Sequence, residues 1–337
     1  MSARLAVLAT VSAIMFMLIN PVPASAHIAG SGGSPSNYQV TLTGIQPAVP
    51  TVGVTVGVGG QWVRVRNQGA AEIVVVGYRG EPFLRLSSHR VEVNQLSSTA
   101  AETGQIPGVP ASADPSDKPS WMQLRDGDSA TWTDNRIDPQ PQGDEQRQPE
   151  QASGSWKLPL VIGGRQVTVL GTWERVPPPS PWPWLVTLGL LATAVAAIGW
   201  RRNWHRPMAA VIAGGILAFV LHLLGTGFAP QQGGPVFGWI GVGTVAAFSM
   251  LIGAVAGLST LRRSESAPDR VITVGIMVLL LAATDISVLW NSQLPFAGPA
   301  VLDRGLTVIT YATALGLLAA GGRLVRERSL ARRGQEE

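Results

Sequence analysis

Two hydrophobic periods divide this chain. Between Tyr38 and Glu174 apolar and polar residues alternate in short runs broken by Gly, Pro and Asn; beyond Pro181 the alternation stops and long apolar runs replace it. Alternation over four to eight residues is the pattern of half-buried strands. The runs "YQVTLTGI" (38–45), "QWVRVRN" (61–67), "AEIVVVGY" (71–78), "PFLRLS" (82–87), "RVEVN" (90–94), "WMQL" (121–124), "ATWT" (130–133), "WKLPLVIGG" (156–164) and "QVTVLGTWE" (166–174) predict about nine strands and an all-β, β-sandwich-like domain. Gly163-Gly164 predicts a two-residue hairpin between the last two. The glycines of "VGVTVGVGG" (52–60) read as strand and turn glycines. The segments 97–118 and 138–155, rich in Ser, Pro, Asp and Gln, read as mobile loops.

The second half contains five apolar runs, at 183–200, 208–229, 237–259, 271–292 and 305–322. Each is close to the roughly 20 residues a helix needs to cross a hydrocarbon core of about 30 Å. They predict an α-helical membrane bundle of five spans. A sixth run, "LAVLATVSAIMFMLI" (5–19), is shorter. It follows Arg4 and precedes Ala24-x-Ala26, the pattern of a signal peptide cut after Ala26; an uncleaved anchor is the alternative. The predicted organisation is a signal peptide (1–26), an extracytoplasmic domain (27–175), a Pro-rich stem (176–182), the bundle (183–322) and a basic tail (323–337).

Charge orients this plan. The computed pI near 10.1 suggests nucleic acid, but residues 27–180 carry 12 Lys/Arg against 14 Asp/Glu. The positive excess lies in segments beside the apolar runs: three Arg in 201–206, three in 261–270 and five in 323–337, against Arg304 alone in the intervening loops. That is the positive-inside signature and not a nucleic-acid footprint. It predicts a multi-pass plasma-membrane protein, with residues 27–182 outside and the C-terminus in the cytoplasm. Trp182, Trp184, Trp200, Trp204, Trp239 and Trp290 fall near span ends, as an aromatic belt does. The chain has no cysteine, so disulfides and thiolate metal sites are excluded.

Candidate chemistry is sparse. No nucleophile elbow, phosphate loop, dinucleotide fingerprint or HExxH pattern occurs, so no catalytic residue is assigned and an enzyme is not expected. Cleavage after Ala26 would leave His27 first, and a terminal amine with an imidazole chelates Cu(II). No other cofactor is expected. His89 reads as a surface turn residue, and His205 as a solvated or headgroup-facing one. His222 and Asp285 both fall inside predicted spans, roughly 10–14 Å below the outer surface at about 1.5 Å per residue. Ionisable groups there are expensive and face the bundle interior. Their matched depth predicts a contact, as interhelical glue or as a functional site. "GAVAG" (253–257) is a weak helix-packing signal.

Three stretches carry a resemblance: "GYRGEPFLRLSSHRVEVNQLSSTA" (77–100), "WTDNRID" (132–138) and "WKLPLVIGGRQVTVLGTWERVPPPSPWPW" (156–184). They resemble a family of actinobacterial membrane proteins with a signal peptide, an extracytoplasmic β domain and a multi-span region, to which no activity attaches. Relatives carry a Trp-His-Asp-His-Arg-x-His-Trp-like stretch rich enough in imidazole to hold a metal, and many begin with His after cleavage. Here Trp132, Asp134 and Arg136 keep the frame while Thr133, Asn135 and Asp138 replace the histidines. Two functional readings follow. One is a non-enzymatic envelope protein that presents its β domain for binding or assembly, as a scaffold or accessory subunit to another membrane or envelope protein. The alternative is a copper- or other metal-handling protein using His27 and the His222/Asp285 pair.

Overall fold

The computed structural model describes residues 33–107, 117–139, 152–230, 235–283 and 285–333. The signal segment and His27 lie outside them. The first half is antiparallel β structure: β1 (Tyr38–Gln46), β2 (Val52–Val56), β3 (Val63–Asn67), β4 (Ile73–Val76), β5 (Pro82–Leu86), β6 (Arg90–Asn94), β7 (Trp121–Asp126), β8 (Ser129–Trp132), β9 (Ser153–Ile162) and β10 (Arg165–Arg175). Seven strands form one sheet in the order β1-β10-β9-β4-β5-β6-β7, and β2-β3-β8 form a second. Their inward residues share one apolar core. Val63, Val65 and Trp132 of the small sheet and Ile73, Val75, Leu158 and Leu160 of the large one are all buried. Phe83 meets the Trp132 ring edge-on across the two sheets, 5.8 Å between centroids.

The hairpin at Gly163-Gly164 forms: Ile162 pairs with Arg165, and the two glycines take φ of 55° and 82°. A type I′ turn demands positive φ at both central positions. Two expected loops are partly ordered. Within 97–118, Ser98–Glu102 is a short helix, α1, because the Ser97 side chain accepts from the Ala100 amide and caps it. Within 138–155, β9 starts at Ser153 because pairing with β10 continues to Glu174.

The second half is helical: α2 (Trp182–Ile198), α3 (His205–Phe228), α4 (Pro235–Leu261), α5 (Ala267–Leu281) and α6 (Ala300–Arg333). Three helices are long and apolar enough to cross a membrane: His205–Phe228, Trp239–Leu261 and Ala300–Arg333. Large apolar side chains such as Leu217, Leu221, Ile240, Leu251 and Leu258 point outward from two of them, an arrangement suited to lipid. α2 has 17 residues and α5 only 15.

The predicted spans are corrected in two places. The run 271–292 is not one helix. α5 stops at Leu281 and a single 3-10 stretch, Asp285–Leu289, follows. The carbonyls freed by this break are met by side chains of α6. The Tyr311 hydroxyl donates to the Ala282 carbonyl. Arg304 donates from Nε to Val288 O (3.0 Å) and from Nη2 to Asn291 O (2.8 Å). Irregular backbone persists in a buried place only where protein meets its polar groups in this way. Arg304 is therefore a buried residue of α6 and not the loop charge the sequence suggested. The second correction is at the other end. α6 runs 34 residues, about 50 Å, so most of the expected basic tail is helix.

The β domain is seated on the bundle by more than its stem. Ser36 and Gln293 exchange backbone hydrogen bonds (2.9 and 2.8 Å), and the Ser292 amide donates to Asn37 Oδ1 (2.9 Å). The loop that receives these bonds is the one Arg304 holds from beneath. Arg304→Leu should therefore cost on the order of 3 kcal/mol, two charge-assisted bonds, and Tyr311→Phe about 1 kcal/mol. Thermal unfolding of the full chain in detergent measures both. Equal small losses would mean that water satisfies these carbonyls.

Candidate functional site

α3 is apolar around its whole circumference, so its inward stripe emerges only from packing. Ile212, Gly215, Ile216, Phe219, His222 and Leu223 are its buried face, the i, i+3, i+4 spacing of one helix side. This stripe delivers His222 to the bundle interior. There the imidazole lies between two carboxylates. Nδ1 is 2.6 Å from Asp303 Oδ1, and Nε2 is 3.4 Å from Asp285 Oδ2. Asp303 comes from the first turn of α6, Asp285 from the 3-10 stretch after the break. Sequence reading paired His222 with Asp285 and missed Asp303, assigned to a loop. Its signal was an Asp-Arg pair four residues after Pro299, the usual place for an acid in a first helical turn.

The site is covered from the β-domain side. Phe296 stacks on the imidazole, ring centroids 6.3 Å apart. The Ala297 amide donates to the Gly225 carbonyl (2.9 Å), which pins this loop onto α3. Any side chain at Gly225 would run into the Phe296 ring, with a Cβ only 1.9 Å from Cε2. Phe219, Ala282, Thr307, Thr310 and Tyr311 pack closely around His222 and Asp285, leaving no space for a water-sized molecule. The Thr310 hydroxyl donates to its own helix at Leu306, whereas the buried Thr307 Oγ1 has no hydrogen-bond partner.

The carboxylates approach opposite ring nitrogens, so the three side chains do not converge on a point. Among the described residues no three His, Cys, Asp or Glu side chains are arranged to hold a metal ion. A proton on His222 and the guanidinium of Arg304 would together balance the two carboxylates, which is the arrangement a low-dielectric interior demands of buried charge. Chemically the set can tie three elements together and can hold or pass a proton.

The frame of the His-rich stretch is a separate structure in the β domain. Asp134 is fully buried. It accepts from Trp132 Nε1 (2.9 Å) and from the Arg136 amide, Nε and Nη2 (3.0, 2.9 and 2.7 Å). Arg136 also donates to Val76 O (2.9 Å) and lies over the Tyr78 ring. Burial, and then the Asp134 charge, push the Tyr78 hydroxyl up to about 12. Trp132, Asp134 and Arg136 thus fasten the chain after β8 to the end of β4. Beside them Glu81, unremarked in the sequence, accepts from Ser97 Oγ (2.8 Å), Thr99 Oγ1 (2.7 Å) and the Thr99 amide (3.1 Å). Burial alone would push its carboxyl up; the hydrogen bonds from Thr99 and Ser97 outweigh it and hold the group below the ordinary range.

The remaining candidates scatter. His89 is exposed in the β5–β6 turn. His205 is half-buried and stacked on Trp204 at 4.0 Å, not freely solvated. In "GAVAG" only Gly253 makes a close approach, against Ile216 of α3; Gly257 faces open space. Comparison with family models, curated proteins and solved structures finds no match to this chain.

Two outcomes follow. Double-mutant cycles on detergent stability should give His222–Asp303 a coupling near the upper end for membrane helices, about 1.7 kcal/mol, and His222–Asp285 nearer the mean of about 0.6. His222→Leu, Asp303→Leu and Asp285→Leu supply the corners; equal couplings would contradict the geometry. For Glu81 the folded carboxyl titrates lower than the unfolded one. Its stabilisation is therefore complete above the unfolded value of about 4.3 and is lost as pH falls through the folded value. Amide protection of residues 98–103 should weaken over that acid range, and Glu81→Gln should remove the dependence.

Proposed function

We propose that this chain is a non-enzymatic integral membrane protein of the cell envelope, in which the β domain and the bundle act as one body and the β domain is the surface offered to another envelope or membrane protein. The seam of Ser36 and Asn37 with residues 290–293 carries this reading. A domain meant to roam on a stem has no use for a second, hydrogen-bonded attachment. The His222 cluster lies directly beneath the seam and ties α3, the 3-10 stretch and α6 together, which favours the role of structural glue at the junction. The kinship with the actinobacterial family is part of the same proposal.

In this reading the chain crosses the membrane five times, with the β domain outside and the C-terminus in the cytoplasm. α2 covers about 25 Å at 1.5 Å per residue, with Trp182 and Trp184 near one end and Trp200 beyond the other. α5 and the buried 3-10 stretch together make the fourth crossing. The metal-handling alternative keeps less support, because both nitrogens of His222 face carboxylates and the other ligand, His27, lies outside the described residues.

A reporter active only in the cytoplasm should work after Glu337 and fail after Gly234; activity at both sites would refute the crossing scheme. Cross-linking in native membranes followed by affinity purification tests the role itself. Cross-links from a co-purifying envelope protein should fall on exposed strand residues such as Gln39 and Lys157. Stoichiometric copper in the same sample, with no cross-linked protein, would select the metal reading instead.

A further inference from the structure

Beside the His222 cluster, a second polar feature of the bundle is built quite differently. At the opposite end of α3 from His222, the residues before and at its start meet the end of α4. Arg201, Arg202, Arg206 and Arg263, with Asn203 and His205, line an open cleft of about 860 Å³. Other arginines at this end of the bundle have acidic partners: Arg323 with Glu327 (2.5 Å), Arg328 with Asp269 (2.7 Å) and Arg332 with Glu265 (3.4 Å). Among the described residues the four cleft arginines have no carboxylate partner. Like charges repel, so four guanidinium groups converging on one concavity without an acid call for an anion.

Local backbone supports the same placement. Arg263 has φ of 55°, the one non-glycine among the described residues in the left-handed region. The Ser264 amide donates to the Ser259 carbonyl (3.0 Å), so Arg263 occupies the turn position at the end of α4 where glycine is usual. From that position Arg263 lines the cleft together with Arg201, Arg202 and Arg206. His205, whose ring contacts the Thr260 backbone, stands on the cleft wall, and among the described residues its buried Nδ1 has no hydrogen-bond partner. Trp204, stacked on His205, stands where an aromatic residue marks the level of lipid headgroups.

We infer that this cleft binds the headgroup of an anionic phospholipid, one that carries two phosphates, from the leaflet on the arginine-rich side. Guanidinium groups suit phosphate because their planar donors engage two oxygens at once. Four of them match two phosphodiesters, and basic pockets between membrane helices on the cytoplasmic side recognise such headgroups. The inference rests on the membrane-inserted reading above, but not on the scaffold role.

The test is lipid retention by the full chain in nanodiscs. One set is made of phosphatidylcholine alone; others add a minor fraction of phosphatidylglycerol, with one phosphate, or cardiolipin, with two. Native mass spectrometry after delipidation should find cardiolipin retained in preference to phosphatidylglycerol. The triple variant Arg202→Gln, Arg206→Gln, Arg263→Gln should lower that retention on the order of a hundredfold, at roughly tenfold per 1.4 kcal/mol and the usual worth of a basic residue at an anionic surface. Its thermal unfolding in phosphatidylcholine should match the parent, since all three side chains are exposed. The triple variant Arg270→Gln, Arg326→Gln, Arg333→Gln removes equal charge elsewhere and should keep cardiolipin bound. Equal loss in the two variants, or no preference among lipids, would overturn the inference, the first by showing diffuse charge attraction. Stabilisation by inorganic phosphate as large as that by cardiolipin would overturn the lipid as the source. Failure to enter nanodiscs at all would sink the membrane reading, and the inference with it.

Discussion

A helix that breaks inside a packed bundle must hand its freed carbonyls to other groups, and the architecture of this bundle follows from how that is done after Leu281. Each buried backbone group left unmet costs about 1–3 kcal/mol. α6 supplies the partners through Tyr311 and Arg304. Those two positions lie seven residues apart, two turns, and so share one face of α6. Asp303, one residue before Arg304 and so about 100° around the helix from it, reaches His222 on the neighbouring helix. The N-terminal half of the last helix therefore repairs the break, pairs with a buried imidazole and fixes the loop that seats the β domain.

The consequence is mechanical. From Ser36 and Asn37 through residues 290–293 to Arg304, and from its neighbour Asp303 to His222, polar contacts run without interruption from the first strand of the sheet into the bundle. Phe296 and Gly225 close the site from above by shape and not by charge. The buried carboxylates of the β domain serve order of a different kind: Asp134, by four hydrogen bonds, and Glu81, by five, fasten loop segments to strand ends.

At its two ends the bundle handles charge in opposite ways. Near the β domain, ionisable groups are few, buried and mutually satisfied. At the far end arginines are many, and among the described residues only some find acids. The first arrangement is the response of a folded interior to low dielectric; the second leaves positive charge for something outside the chain to meet.

Much of the fold is legible in residue order. Alternation at period two needs no tertiary knowledge, so the nine expected strands correspond to nine of the ten observed; the tenth, β2, lies in the 52–60 stretch read only as strand and turn glycines, because its glycines dilute the apolar signal. Long apolar runs announce membrane helices because the bilayer imposes a length, and His222 with Asp285 stood out because charge is rare in such runs. Three matters belong to the tertiary structure alone. The break after Leu281 was illegible because a mostly apolar run interrupted by one charge, Asp285, reads the same whether or not the helix continues, and what permits it, Tyr311 and Arg304, lies on another helix. Asp303 was hidden because proximity to Pro299 and Arg304 looks the same in a loop and in a first helical turn. That the Trp132-Asp134-Arg136 frame is a buried internal clamp was also illegible, because whether a carboxylate meets a guanidinium or stays in solvent is decided by which side chains packing brings within 3 Å of it.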